Sequence, residues 1–148
     1  MRVINQKARF NYDIAERVEA GIVLTGPEVK SAKAGGVDLG NAYAKIRTSK
    51  FGAMEVFSIN IHIYPYKHAD NTNYDPGHER KLLLHQKEIV QLASKMKQSR
   101  LLLVPTAMYT KDGKVKLELG LARGKKKYEK RESIKQADVE RDMEREMK

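Results

Sequence analysis

The chain has 148 residues, no cysteine, and 29 Lys and Arg against 19 Asp and Glu, a formal net charge of +10. That length suits one domain with an extension, and the absence of thiols excludes a disulfide framework and a thiolate zinc site. The basic excess favours a polyanionic partner, nucleic acid before an anionic membrane or an acidic protein.

Residues 1–7 lack the apolar h-region of a secretory signal, and no apolar run approaches the roughly 20 residues needed to span a bilayer. A cytoplasmic chain without membrane contact is therefore expected. Over residues 12–24 the even positions read Tyr, Ile, Glu, Val, Ala, Ile, Leu, the period of two of a long strand with one buried face. Thr25, Pro27 and Glu28 then fit a capping box that opens a short helix over 29–34, stopped by Gly35-Gly36. A second strand is predicted at 41–47, turning at 50–52. In the third, Phe57, Ile59, Ile61 and Ile63 are expected on one face and Ser58, Asn60 and His62 on the other.

Residues 64–79 read as a long polar loop, a length more often functional than decorative. A helix follows at 86–97, with Ile89, Leu92, Ala93 and Met96 on one stripe. Residues 101–104 read as a buried strand ended by Pro105. Strands at 107–110 and 115–121 then pair through Lys111-Asp112-Gly113-Lys114, whose Asp-Gly is a strong hairpin signal. Several strands, short turns, two helices and no βαβ alternation predict a mainly β fold, a small antiparallel barrel over residues 1–122.

Residues 123–148 form a different kind of segment. Residues 123–135 carry seven basic and two acidic side chains, and residues 136–148 carry three basic and five acidic ones. Without them the body still holds 19 basic and 12 acidic residues. A segment so poor in apolar surface does not offset its ordering entropy alone, and a polyanion is expected to order it. Val139, Met143 and Met147 recur every four residues, and Asp138 with Arg141, Asp142 with Arg145 and Glu144 with Lys148 can pair along a helix. One apolar residue per turn is too narrow a stripe to fold alone in water, so a helix formed on docking is expected.

Lys7 and Arg9 flank Phe10 and Tyr12, which interleaves phosphate-binding cations with stacking rings. The competing reading is a solvated strand edge carrying lysine. His62, His68, His78 and His85 show no metal-ligand spacing, and Gly124-Lys125 lacks the rest of a phosphate-binding loop. No paired carboxylates suggest a nuclease, and neither a cofactor nor an enzymatic activity is expected.

Three blocks carry a resemblance: Asn5-Gln6-Lys7-Ala8-Arg9-Phe10-Asn11-Tyr12 leading into Glu19-Ala20-Gly21-Ile22-Val23-Leu24-Thr25-Gly26; Arg80-Lys81-Leu82-Leu83-Leu84-His85; and Gly120-Leu121-Ala122-Arg123-Gly124-Lys125-Lys126 passing into Glu129-Lys130-Arg131. In order and spacing they closely resemble the bacterial SsrA-binding protein (small protein B) family, the tmRNA partner of trans-translation. The resemblance covers almost the whole chain. It implies an oligonucleotide-binding-like barrel that holds the tRNA-like domain of tmRNA and delivers it, with elongation factor Tu, to stalled ribosomes. It also implies a monomer, and a tail that enters the empty mRNA channel at the decoding centre and becomes helical there.

Residue by residue, the resemblance places RNA binding at Asn5, Lys7, Arg9, Phe10, Tyr12, Glu19, Arg80, Lys81, Leu83 and His85. It places ribosome contact at Lys125, Lys126, Lys127, Tyr128, Lys130, Arg131, Ile134 and Lys135. The family often has histidine where this chain has Phe10, and aspartate where it has Glu129. The alternative reading is a general single-strand binder on a related barrel, with strong salt dependence and little selectivity.

Overall fold

A computed structural model describes residues 1–124. The elements run β1 (Arg2–Ile4), α1 (Gln6–Asn11), β2 (Tyr12–Ile22), α2 (Gly26–Lys33), β3 (Val37–Asp38), β4 (Tyr43–Thr48), β5 (Met54–Ile59), β6 (His62–Ile63), β7 (Arg80–Leu83), α3 (Gln86–Ser99), β8 (Leu102–Lys111) and β9 (Lys114–Gly124). The main sheet has the order β1-β8-β4-β5-β7-β2-β9, and β8 also pairs with β9. That last pairing closes a ring of antiparallel strands, and closure removes the edges an open sheet would expose. The mainly β antiparallel barrel expected from the sequence is the fold.

Closure starts from local chemistry. Asp112 and Gly113 both have positive φ, 51° and 77°, the geometry of a two-residue hairpin turn between β8 and β9. The inward side chains Leu117, Leu119 and Leu121 of β9 pack with Leu103 and Met108 of β8, Val56 of β5 and Leu82 of β7. The Thr25 capping box forms as expected, with Glu28 N donating to Thr25 Oγ1 at 3.4 Å and Thr25 N to Glu28 Oε1 at 3.0 Å. In α3, Ile89 and Leu92 are buried and Ala93 and Met96 half-buried.

Four details differ from expectation. Pro105 does not end a strand: β8 runs through it, with a bulge between Pro105 and Ala107. There β8 exchanges β4, which meets it at Leu103, for β1, which meets it from Ala107 onward. Proline's missing N–H is tolerated at a bulge where the neighbour changes.

The run 54–63 is two strands rather than one. Val56 and Ser58 point inward at 0% exposure, while Phe57 and Ile59 are half-buried on the outer side. Asn60, at φ 63°, breaks the alternation and returns Ile61 and Ile63 to the interior. The reason is steric and polar. Ser58 faces Ala44 and Arg80 across the sheet, and the small side chains of Ser58 and Ala44 leave room for the buried Arg80 guanidinium that a phenylalanine at 58 would fill.

Residues 6–11 form a helix rather than a strand edge, capped by Asn5. Finally, β9 continues past residue 122: Arg123 pairs with Asp13 and Gly124 with Tyr12.

Candidate nucleic-acid interface

Glu19, Leu83 and His85 come together. β2 and β7 are neighbours, with Gly21 opposite Leu83, so Glu19 lies one step along from that pair. A Cβ on Gly21 would lie 3.1 Å from Leu83 Cβ, and its absence lets Leu83 lean across β2 while remaining 54% exposed. His85 follows the end of β7 by two residues and caps α3, its backbone N–H donating to Glu88 Oε1 at 3.2 Å. With Lys116 of β9 these residues line an open groove of about 360 Å³.

Glu19 is held by residues far away in the chain. The Tyr109 hydroxyl donates to Glu19 Oε2, and Lys111 Nζ lies 3.4 Å from the same oxygen. The Tyr109 hydroxyl, aided by the lysine charges of Lys111 and Lys116, holds the carboxyl below its ordinary value. Burial and the Glu19 charge push the Tyr109 phenol up to about 12. Glu19 is therefore an ionised acceptor of fixed orientation. Both bonds converge on Oε2, which leaves Oε1 on the exposed side chain to accept from a base amino or imino group or a 2′-hydroxyl.

Lys7 and Tyr12 belong to a second surface. Tyr12 and Glu19 stand seven residues apart on β2, roughly 20 Å along the strand. Together with Asn41, Tyr43, Met96 and Leu102, Lys7 and Tyr12 line a cleft of about 360 Å³. Helix α1 positions them by burying Ala8 against Val104 and Ala122 while Lys7, Arg9 and Phe10 face outward. Lys7 Nζ donates to Asn41 Oδ1 at 2.9 Å. Lys81 is exposed on the outer face of β7 that also carries Leu83, 3.7 Å from Glu55.

Two candidates are corrected. Asn5 is 4% exposed and both polar atoms of its amide are hydrogen-bonded inside the protein. Nδ2 donates to the Leu39 and Pro105 carbonyls at 2.9 and 2.8 Å, and Oδ1 accepts from Ala8 N at 3.0 Å. It pins α1 to the barrel, and its burial keeps the side chain out of reach of RNA.

Arg80 has a wholly buried side chain. Its Nε donates to Glu28 Oε2 at 2.7 Å, Nη1 to the Ile61 carbonyl at 2.7 Å, and Nη2 to the Pro76 carbonyl at 2.8 Å. Tyr74 donates to the Ile63 carbonyl at 2.9 Å, and His78 Nε2 lies 3.0 Å from Glu28 Oε2. Burial pushes the Glu28 carboxyl up, but the Thr25 N–H, Arg80 and His78 outweigh it and hold it below its ordinary value. This cluster ties α2, the 64–79 loop and β7 together from inside.

Sequence reasoning missed Lys116 in the groove, Tyr109 and Lys111 that hold Glu19, and Asn41, Tyr43 and Leu102 in the cleft. No local signal marks them, since Tyr109 meets Glu19 across 90 residues. For α1 a signal did exist, namely Asn5 as a helix cap before the helix-forming run Gln6-Lys7-Ala8-Arg9. Among the described residues no group of three or more His, Asp or Glu side chains is placed to hold a metal ion, and no helix is long and apolar enough to cross a membrane.

A small closed antiparallel barrel with an aromatic and cationic helix at one end and an acceptor-lined groove at the other belongs to the oligonucleotide-binding-like class. The family model described as SmpB protein matches residues 2–148. An SsrA-binding protein of Persephonella marina is 46% identical over 144 residues, covering 97% of this chain and 91% of the relative. One from Gloeothece citriformis is 50% identical over 145 residues, covering 97% and 90%. A solved structure described as "tmRNA-SmpB: a journey to the center of the bacterial ribosome" superposes with a TM-score of 0.67 at 42% identity, covering 85% of each chain. The chain belongs to the SmpB protein family.

Proposed function

We propose that this protein binds the tRNA-like domain of tmRNA through the Glu19–Leu83–His85 groove and delivers it to stalled ribosomes for trans-translation. The observation that carries the reading is the convergence of these three residues, distant in sequence, on one open groove of a chain of this family. The names of the relatives and the ribosomal setting of the solved neighbour support the same partner. The groove holds two carboxylates, Glu19 and Glu88, and one lysine, Lys116. Its selectivity therefore comes from shape and hydrogen bonding, while the body's basic excess supplies phosphate attraction.

The α1 surface serves the other partner. Tyr12 pairs with Gly124, so the end of β9 lies beside the start of β2, which follows α1 directly. We assign this end to the ribosome and the groove end to tmRNA. The tail candidates Lys125, Lys126, Lys127, Tyr128, Lys130, Arg131, Ile134 and Lys135 lie outside the described residues, as does the helix expected on docking. In this reading the tail probes the empty mRNA channel, and the protein acts in the cytoplasm as a monomeric adaptor alongside elongation factor Tu, with no catalytic step of its own.

Competitive gel-shift binding to the tRNA-like domain, with tRNA and unstructured RNA as competitors at near-physiological salt, tests the groove. Preference for the tRNA-like domain is expected, and equal competition by all three RNAs would make charge alone the binding force. Removal of residues 123–148 is expected to leave that binding nearly intact and abolish peptide tagging on stalled ribosomes. Equal loss of both activities would end the division of labour.

A further inference from the structure

Phe51 is the most exposed large apolar residue among those described, at 97% of its surface. Burying a phenylalanine is worth about 1.5–3 kcal/mol, so a ring held entirely in water at the tip of a hairpin leaves that contribution available to a partner. The tip is well made. Ser49 N donates to the Ala53 carbonyl at 2.7 Å, Gly52 N donates to the Ser49 carbonyl at 3.1 Å, and Gly52 takes φ 82° to close the turn. Phe51 sits on that turn with the exposed Lys50 beside it.

The hairpin is anchored where the groove ends. Met54 N donates to Gln86 Oε1 at 3.3 Å, and Gln86 Nε2 donates to the Met54 carbonyl at 2.6 Å. Gln86 directly follows His85, which lines the groove. The turn that carries Phe51 thus begins directly beyond a point fixed next to the groove wall.

We propose that Phe51 is a stacking platform for an unpaired base of the RNA whose folded body occupies the Glu19–Leu83–His85 groove, with Lys50 meeting the adjacent phosphate. This rests on the groove being the RNA site and adds a contact beyond it. A single-stranded or loop nucleotide is the occupant that fits, because an unpaired base offers an apolar face for the ring and a phosphate for the ammonium. A protein partner would need an apolar pocket for one isolated ring, and its surface would have to be acidic to suit Lys50.

The chain contains no tryptophan, so Phe51→Trp places a single reporter at the tip. Full-length Phe51→Trp would be titrated with the tRNA-like domain of tmRNA, following indole fluorescence, with complex formation scored in parallel by gel shift. Strong quenching that saturates together with the gel shift is expected from base stacking. Phe51→Ala is expected to bind about tenfold more weakly with an unchanged thermal midpoint.

If the gel shift saturates while the tryptophan emission does not change, the Phe51 contact is overturned and the groove reading stands. If the wild-type protein forms no complex with this RNA, both fall together. Quenching by ribosomes but not by the isolated RNA would also overturn the proposal, moving the ring to a ribosomal surface.

Discussion

Glu28 and Glu19 are built alike and do different things. Each carboxylate has a tyrosine hydroxyl and a basic side chain at one oxygen: Tyr74 and Arg80 at Glu28, Tyr109 and Lys111 at Glu19. The Glu28 and Arg80 side chains are 1% and 0% exposed, whereas Glu19 and Lys111 are 36% and 58% exposed. Burial decides the outcome. Inside, the charges are locked because every lost partner leaves a group that water does not reach, and the cluster acts as a fastener. Outside, the same pieces orient an acceptor and leave it accessible.

The sharpest way to break this comparison is Arg80→Ala. Removing the guanidinium leaves a buried, uncompensated Glu28 and is expected to destabilise the fold by about 3–5 kcal/mol, read by urea denaturation. Near-normal stability with weakened RNA binding would instead return Arg80 to the RNA site. The second test reads the open cluster directly. Spectrophotometric titration is expected to show one tyrosine ionising near pH 12, about a hundredfold less acidic than the ordinary value of 10.0. In Glu19→Gln that step should move back toward 10, stopping short because burial still acts on Tyr109.

Glu19→Ala is expected to weaken binding of the tRNA-like domain by about tenfold while leaving the urea midpoint unchanged. Unchanged affinity at fixed salt would remove Glu19 from the interface. The smallest effect is on acid stability. The folded state holds Glu28 below its ordinary value of 4.5, so its stabilising contribution is complete above about pH 4.5 and fades as pH falls through the lower folded value. Thermal midpoints measured from pH 6 down to about pH 3 should therefore fall less steeply in Glu28→Gln than in wild type. A parallel fall would mean that Glu28 is not held below its ordinary value.

What could be read from the chain was local. The Thr25–Glu28 box, the Asp112-Gly113 turn and the stripe through Ile89 and Leu92 each involve residues within one or two turns of one another. Their geometry follows from backbone and capping preferences that neighbours further off do not alter. The strand of residues 12–22 was legible for the same reason, apart from Glu16, where the bulge between Ile14 and Glu16 shifts the register. The family blocks led to Glu19, Leu83 and His85, which share a groove, and also to Asn5 and Arg80, which are structural. A motif shows that a residue matters without showing which way its side chain points.

The amino-acid sequence by itself determined a β-rich, basic, cysteine-free domain with a charged extension, and the order of most of its elements. Only the tertiary structure decided that Phe57 faces outward while Ser58 faces in, because Arg80 occupies the space inside. It also decided that Glu19 is gripped by Tyr109 and that the candidate residues divide between two ends of the barrel. Those outcomes depend on which strands meet when the ring closes, and contacts across 50 to 90 residues leave no periodic trace along the chain.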